Sequence, residues 1–206
     1  MLPPLYAILD IDLCRERQLD PFAVLTAFLA GGARFLQLRD KTPSSAERLE
    51  RADAVVTQAH AAGARVIVND RADIARLSGA DGVHVGQDDL GVDDVRSIVG
   101  VEAIVGVSTH DEAQIEAAAR TTATYIAVGP IYATATKDTG YSARGLDLVR
   151  RAALTGRPVV AIGGITLERA PEVLAAGASS VAVITDLLAG PDPDARTRQF
   201  VSRLRR

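Results

Sequence analysis

The feature that most constrains this chain is a rhythm. Short apolar runs, each ending at Gly, Asn, Asp, Ser or Thr, alternate with longer segments of helical period along almost the whole sequence. A parallel sheet with crossover helices produces this pattern, because each strand is covered on both faces and each return to the sheet needs a helix. The pattern predicts eight strands, at residues 5–9, 35–38, 65–68, 82–85, 103–107, 125–128, 159–162 and 180–184. Helices are expected between them, among others at 44–62, 111–119 and 168–176, with Gly63 and Gly177 at their C-terminal caps. Ala61-Ala62-Gly63-Ala64 and Ala175-Ala176-Gly177-Ala178 repeat one helix-to-strand turn, and Ala30-Gly31-Gly32-Ala33 is a looser copy. No Gly-x-Gly-x-x-Gly follows the first strand, as an open dinucleotide-binding sheet would require. Eight even units therefore predict closure into a single (β/α)8 TIM barrel, with residues 1–206 forming one catalytic domain.

Composition agrees with that architecture and excludes several partners. The chain has 206 residues, 48% of them apolar and 4% aromatic, so Ala, Val, Leu and Ile must fill the interior. Net charge is −3 and no basic stripe is interleaved with aromatics, so nucleic acid is not an expected partner. Arg203, Arg205 and Arg206 fit the negative end of a last helix. A single cysteine, Cys14, forms no intrachain disulfide and no multi-cysteine metal site, in keeping with a reducing cytoplasm. The N-terminus lacks a signal-peptide pattern, and no apolar run approaches the roughly 18 residues of a membrane helix. A soluble cytoplasmic protein without membrane partners is expected, and the sequence leaves a homo-oligomer open.

Barrels of this kind place their chemistry at the C-terminal ends of the strands. Here those ends are polar throughout: Gln37, Arg39 and Lys41 after the second, Asn69-Asp70 after the third, Gln87-Asp88-Asp89 after the fourth. Ser108-Thr109-His110 follow the fifth, Thr134, Thr136 and Lys137 the sixth, Gly163-Gly164 the seventh and Thr185 the eighth. Strand alternation would set Gln37, Arg39 and Lys41 on one face about 6.6 Å apart. Taken singly these residues have plainer readings. Arg39 and Lys41 fit a solvated loop; Asn69, Asp70, Asp88, Asp89, Ser108 and Thr109 all fit helix N-caps. Two carboxylates from neighbouring strand ends beside an Arg and a Lys also suit Mg²⁺ on a diphosphate, since Mg²⁺ takes few carboxylates plus phosphate oxygens and water. Gly163-Gly164 fits the recurrent phosphate site after strands seven and eight. His60 reads as surface, His84 as a packed polar residue inside the barrel, and His110 as a rim residue without a nucleophile partner, so none is assigned catalysis.

Six motifs in order carry a resemblance. They are Gln37-Leu38-Arg39-Asp40-Lys41, Asn69-Asp70-Arg71, His84-Val85-Gly86-Gln87-Asp88-Asp89, Gly106-Val107-Ser108, Gly129-Pro130-Ile131-Tyr132-Ala133-Thr134-Ala135-Thr136-Lys137 and Ile162-Gly163-Gly164-Ile165. Together, over Leu5 to Thr185, they resemble the thiamine phosphate synthase family. The resemblance implies a Mg²⁺-dependent transferase that joins a pyrimidinylmethyl diphosphate to a thiazole phosphate with release of pyrophosphate. It implies that Gln37, Arg39, Lys41, Asn69, Ser108 and Lys137 bind the pyrimidine diphosphate, with Arg39, Lys41, Ser108 and Lys137 closest to the chemistry. It assigns Thr134, Thr136, Gly164, Ile184 and Thr185 to the thiazole phosphate, and Asp70 and Asp89 to the metal, with Asp88 as the variable middle residue.

Such a reaction has no proton to remove from the attacking nitrogen, which agrees with a rim rich in cations and lacking a nucleophile triad. The last strand ends in Thr185 where the family usually has Ser, and the first ends Leu9-Asp10 rather than Thr-Asp. Only four residues precede the first strand, so a family contact from an N-terminal extension is not expected. The 135–141 segment is a candidate lid. A thiazole tautomerase on the same barrel and a non-catalytic phosphate-sensing barrel are the rival readings, the first disfavoured by the full diphosphate and metal set.

Overall fold

A computed structural model describes residues 2–42, 44–134 and 140–205. Its described elements run β1 (Leu5–Asp10), α1 (Ile11–Glu16), α2 (Pro21–Ala30), β2 (Phe35–Arg39), α3 (Ser45–Ala61), β3 (Arg65–Asn69), α4 (Ala72–Leu77) and β4 (Gly82–Val85). They continue with α5 (Val92–Val99), β5 (Ile104–Thr109), α6 (Glu112–Ala119), β6 (Tyr125–Val128), α7 (Gly145–Ala153), β7 (Val159–Ile162), α8 (Ala170–Ala175), β8 (Ser180–Val183) and α9 (Pro193–Arg203). A short 3-10 helix, Thr185–Leu188, follows β8. The strands pair in parallel in chain order and β8 closes on β1, giving the expected (β/α)8 barrel.

Two apolar layers hold the barrel. The outer one lies between sheet and helices and is built from aliphatic residues such as Leu36, Val66, Val83, Val105 and Val181. The inner one, Tyr6, Ile8, Phe35, Ile67, Tyr125, Ala127, Val160 and Ala182 with Leu2, fills the lower part of the barrel. Tyr6 stacks on Phe35 at 4.2 Å between centroids, and Tyr125 meets Tyr6 edge-on at 6.0 Å. Above this plug the inward positions turn polar, and there the rim begins.

All eight predicted strands form, but four run past their last apolar residue. Asp10 pairs with Arg39, Asn69 with His84, and Thr109 with Val128, so backbone pairing carries the ladder into the polar rim. At β8 the opposite holds: Ile184 has φ −114 and ψ −82, outside the β region, and the chain turns at once into the 3-10 helix. Helix α3 begins after Ser44, whose hydroxyl accepts from Glu47 N–H at 3.3 Å. Helix α8 is shorter than expected because Pro171, without an N–H, sits in its first turn. Gly63 and Gly177 follow their helices with φ +70 and +113, the conformation the repeated turn requires. Among the described residues no helix is long and apolar enough to cross a membrane.

Candidate active site

Gln37, Arg39, Asn69, Asp70, Ser108, Thr134, Gly164, Ile184 and Thr185 line one cavity at the C-terminal mouth of the barrel. Sequence reasoning named all nine. It gave no site role to Tyr6, Asp10, Gly86, Gly129 or Pro130, which share the lining with His84 and His110.

On the β1–β4 side the side chains are charged and mutually oriented. Arg39 Nη1 donates to Asp10 Oδ2 at 2.7 Å, while Asp10 Oδ1 accepts from Leu13 N–H and caps α1. One carboxylate thus fixes both a helix start and the direction of a guanidinium, leaving other Arg39 donors for a ligand. Lys41 departs from the expected common face: β2 ends at Arg39, and beyond it the Lys41 ammonium pairs with Asp70. The loop bearing Lys41 is held by Asp40, which accepts from Thr42 N–H at 2.9 Å and pairs with Arg51. Burial acts to raise the Asp40 pKa, but the Thr42 and Arg51 hydrogen bonds outweigh it and hold it below the ordinary value.

The N-cap readings fail at each rim position. Helix α4 has Arg71 at its N-cap and α5 has Gly91, neither with a side-chain cap, while Asp111 caps α6 by accepting from Gln114 N–H. Asp70 instead has φ +64, a left-handed conformation uncommon for a side chain, and turns its carboxylate toward Lys41. Asp89 Oδ2 accepts from Gly86 N–H at 2.7 Å, which folds the loop back onto the cavity edge. Although Asp89 is exposed as a residue, its carboxylate is partly desolvated; that raises its pKa, the Gly86 hydrogen bond opposes the rise, and the Asp70 charge adds to it. Two carboxylates therefore compete at one edge of the cavity. Among the described residues no three His, Cys, Asp or Glu side chains gather as a metal cage.

Across the mouth the β7–β8 side is lined by backbone and hydroxyl groups. Gly163 and Gly164 have φ +102 and +62, and a Cβ on Gly164 would lie 2.6 Å from Ala133 O. Only glycine makes that turn at that spacing. Arg169 lies beside it, donating to Gly164 O at 2.9 Å and covering the Tyr132 ring at 4.5 Å. Thr134 lines the cavity on the β6 side. Thr136 and Lys137 lie outside the described residues, as does most of the 135–141 segment.

The histidines stand as read from sequence, with more detail. His60 is exposed on α3 and meets Asp81 at 2.9 Å. His84 is buried inside the barrel, with Nε2 2.8 Å from Ser108 Oγ and Nδ1 3.0 Å from Tyr125 OH. His110 Nδ1 lies 2.6 Å from Gly129 O, and its ring stacks on Tyr141 at 4.4 Å. Thr109 is buried and donates to Ala127 O, so its role is structural.

A closed (β/α)8 barrel whose rim opposes a cationic, acidic side to a glycine turn defines a class: enzymes that hold small phosphorylated molecules at the strand ends. Comparison with known proteins narrows it. Residues 5–187 match the family model described as thiamine monophosphate synthase. The thiamine-phosphate synthase of Koribacter versatilis is 44% identical over 98% of this chain and 96% of its own length. That of Mycolicibacterium smegmatis is 46% identical over 89% and 85%. The thiamine phosphate pyrophosphorylase structure from Pyrococcus furiosus superposes with a TM-score of 0.88 at 28% identity, covering 98% of this chain and 95% of that one. The chain belongs to the thiamine monophosphate synthase family, and it is a transferase of thiamine biosynthesis.

Proposed function

We propose that the cavity joins 4-amino-2-methyl-5-pyrimidinylmethyl diphosphate to a thiazole phosphate, forming thiamine phosphate and releasing pyrophosphate, with residues 1–206 acting as one catalytic domain. The observation that carries this reading is the division of the mouth: Arg39 and Asp70 on one side, with Lys41 paired to Asp70 and Asp89 interacting with it, and the Gly163-Gly164 turn and Thr185 on the other. One phosphate site would not need both.

On this reading Arg39, aimed by Asp10, and Lys41 hold the diphosphate, helped by Lys137; Gln37, Asn69 and Ser108 orient the pyrimidine. Thr134, Thr136, Gly164, Ile184 and Thr185 seat the thiazole phosphate. The C–O bond to the diphosphate breaks with its electron pair leaving on oxygen, and the thiazole nitrogen lone pair forms the new C–N bond. No proton is released, so the residues position and neutralise rather than abstract. Asp70 and Asp89 fit Mg²⁺: partial desolvation first, and the neighbouring Asp70 charge in addition, disfavour the ionised Asp89, a conflict that a divalent cation between the two would relieve, and two carboxylates suffice where phosphate oxygens and water complete the shell. When bound, Mg²⁺ supplies charge stabilisation to the departing diphosphate.

The test is incubation with both substrates and Mg²⁺. Thiamine phosphate and pyrophosphate in equal amounts are expected. Neither product from folded protein would overturn the reading, and interconversion of thiazole tautomers alone would favour an isomerase. Asp70→Asn should weaken the response of rate to Mg²⁺, and Lys137→Ala should slow coupling far more than it lowers stability.

A further inference from the structure

A continuous hydrogen-bonded chain crosses the floor of the cavity. Gln37 Nε2 donates to Tyr6 OH at 2.9 Å, Tyr6 OH meets Tyr125 OH at 3.1 Å, Tyr125 OH meets His84 Nδ1 at 3.0 Å, and His84 Nε2 meets Ser108 Oγ at 2.8 Å. Gln37, Tyr6, Tyr125 and His84 are all buried, and the two ends, Gln37 and Ser108, both line the cavity.

Each hydroxyl has one hydrogen, so the direction set at one end propagates. Tyr6 accepts from Gln37 and gives its hydrogen to Tyr125. Tyr125 then gives its own to His84 Nδ1, since a buried phenol hydrogen left unpaired costs on the order of 1–3 kcal/mol. With Nδ1 accepting, neutral His84 carries its hydrogen on Nε2 and donates to Ser108 Oγ. Ser108 is thereby left with its own hydrogen to offer the cavity, and Gln37 with its amide oxygen. Burial raises both phenol pKa values, so both hydroxyls stay protonated.

We infer that Tyr6, Tyr125 and His84 are positioning residues that lock the cavity into a fixed pattern, an acceptor at Gln37 and a donor at Ser108, for a heteroaromatic substrate carrying both an amino group and a ring nitrogen. This rests on the proposed coupling reaction for the identity of that substrate. The close fit at the centre of the chain supports it: Gly106 faces Tyr125, and a Cβ there would lie 2.0 Å from the phenol carbon. The reversed chain has the opposite signature, with His84 protonated on Nδ1 and Ser108 presenting its oxygen.

The experiment is ¹⁵N NMR of histidine-labelled protein, His84 being assigned by difference from His60→Gln and His110→Gln among the three histidines. His84 is expected as the Nε2–H tautomer. In Tyr6→Phe the Tyr125 hydrogen still goes to His84 Nδ1, so the Nε2–H tautomer should persist, whereas a chain running the other way would be driven from Nδ1–H to Nε2–H by the same substitution. An Nδ1–H tautomer or an imidazolium in the unsubstituted protein, or a change of His84 tautomer in Tyr6→Phe, would overturn the inference. In parallel, Tyr6→Phe should raise KM for the pyrimidine diphosphate about tenfold, as expected for one lost orienting hydrogen bond, and leave KM for the thiazole phosphate unchanged. Equal change in both would also overturn it. Absence of turnover in the unsubstituted protein would defeat the coupling reaction instead, while the tautomer would still report on the chain.

Discussion

Asp10 illustrates how much one side chain at a strand end can decide. Its two oxygens cap α1 and orient Arg39, and the two roles separate by substitution. Asp10→Asn keeps a good cap and removes the charge that aims the guanidinium, so coupling should slow by roughly 10- to 100-fold, as for a weakened anion contact. Asp10→Ala loses the cap as well and should unfold about 1 kcal/mol more easily than Asp10→Asn in denaturant melts; equal stability of the two would remove the capping role. Asp40 belongs to the same scale. Because its folded pKa is depressed, its contribution to stability is present above the unfolded value near ~3.9 and is lost as pH falls through the lower folded value. Urea midpoints across that acid window should converge for the unsubstituted protein and Asp40→Asn, and separate above it. Gln37 and Arg39 were legible in the sequence because strand alternation names the inward residues. The Asp10–Arg39 pair was not, since it depends on the register between β1 and β2, and neither was the left-handed turn of Asp70.

At the scale of elements, the strand positions were readable and their ends were not. Apolar side chains mark where a strand is covered, whereas the ladder continues wherever backbone groups still find partners, as at Asp10, Asn69 and Thr109. The same gap produced the mistaken N-cap readings: a polar residue before a helix looks like a cap until the backbone shows that Arg71, Gly91 or Asp111 holds that place. Gly106 was read as part of a motif, but the reason for it is Tyr125 in the neighbouring strand, paired with it in register. Gly106→Ala should therefore destabilise the barrel by about 1–3 kcal/mol through overpacking. The check is its denaturant midpoint; one equal to that of the unsubstituted protein would mean that β5 and β6 can part without cost.

At the scale of the whole molecule, the closed barrel brings strands far apart in sequence around one mouth, so that β2–β4 supply charge and β7–β8 supply a backbone turn. The apolar plug of Tyr6, Phe35, Ile67 and Tyr125 beneath keeps the floor rigid. The central claim is that these are two separate anion sites in one cavity. Equilibrium binding of magnesium pyrophosphate and of thiazole phosphate, each measured alone by calorimetry on Arg39→Ala and Gly164→Ala, tests it most directly. Arg39→Ala should weaken pyrophosphate at least about tenfold, as for a lost charged hydrogen bond, with thiazole phosphate unchanged, and Gly164→Ala should do the reverse. If each substitution weakened both ligands to the same extent, the division of the mouth into two sites would be wrong.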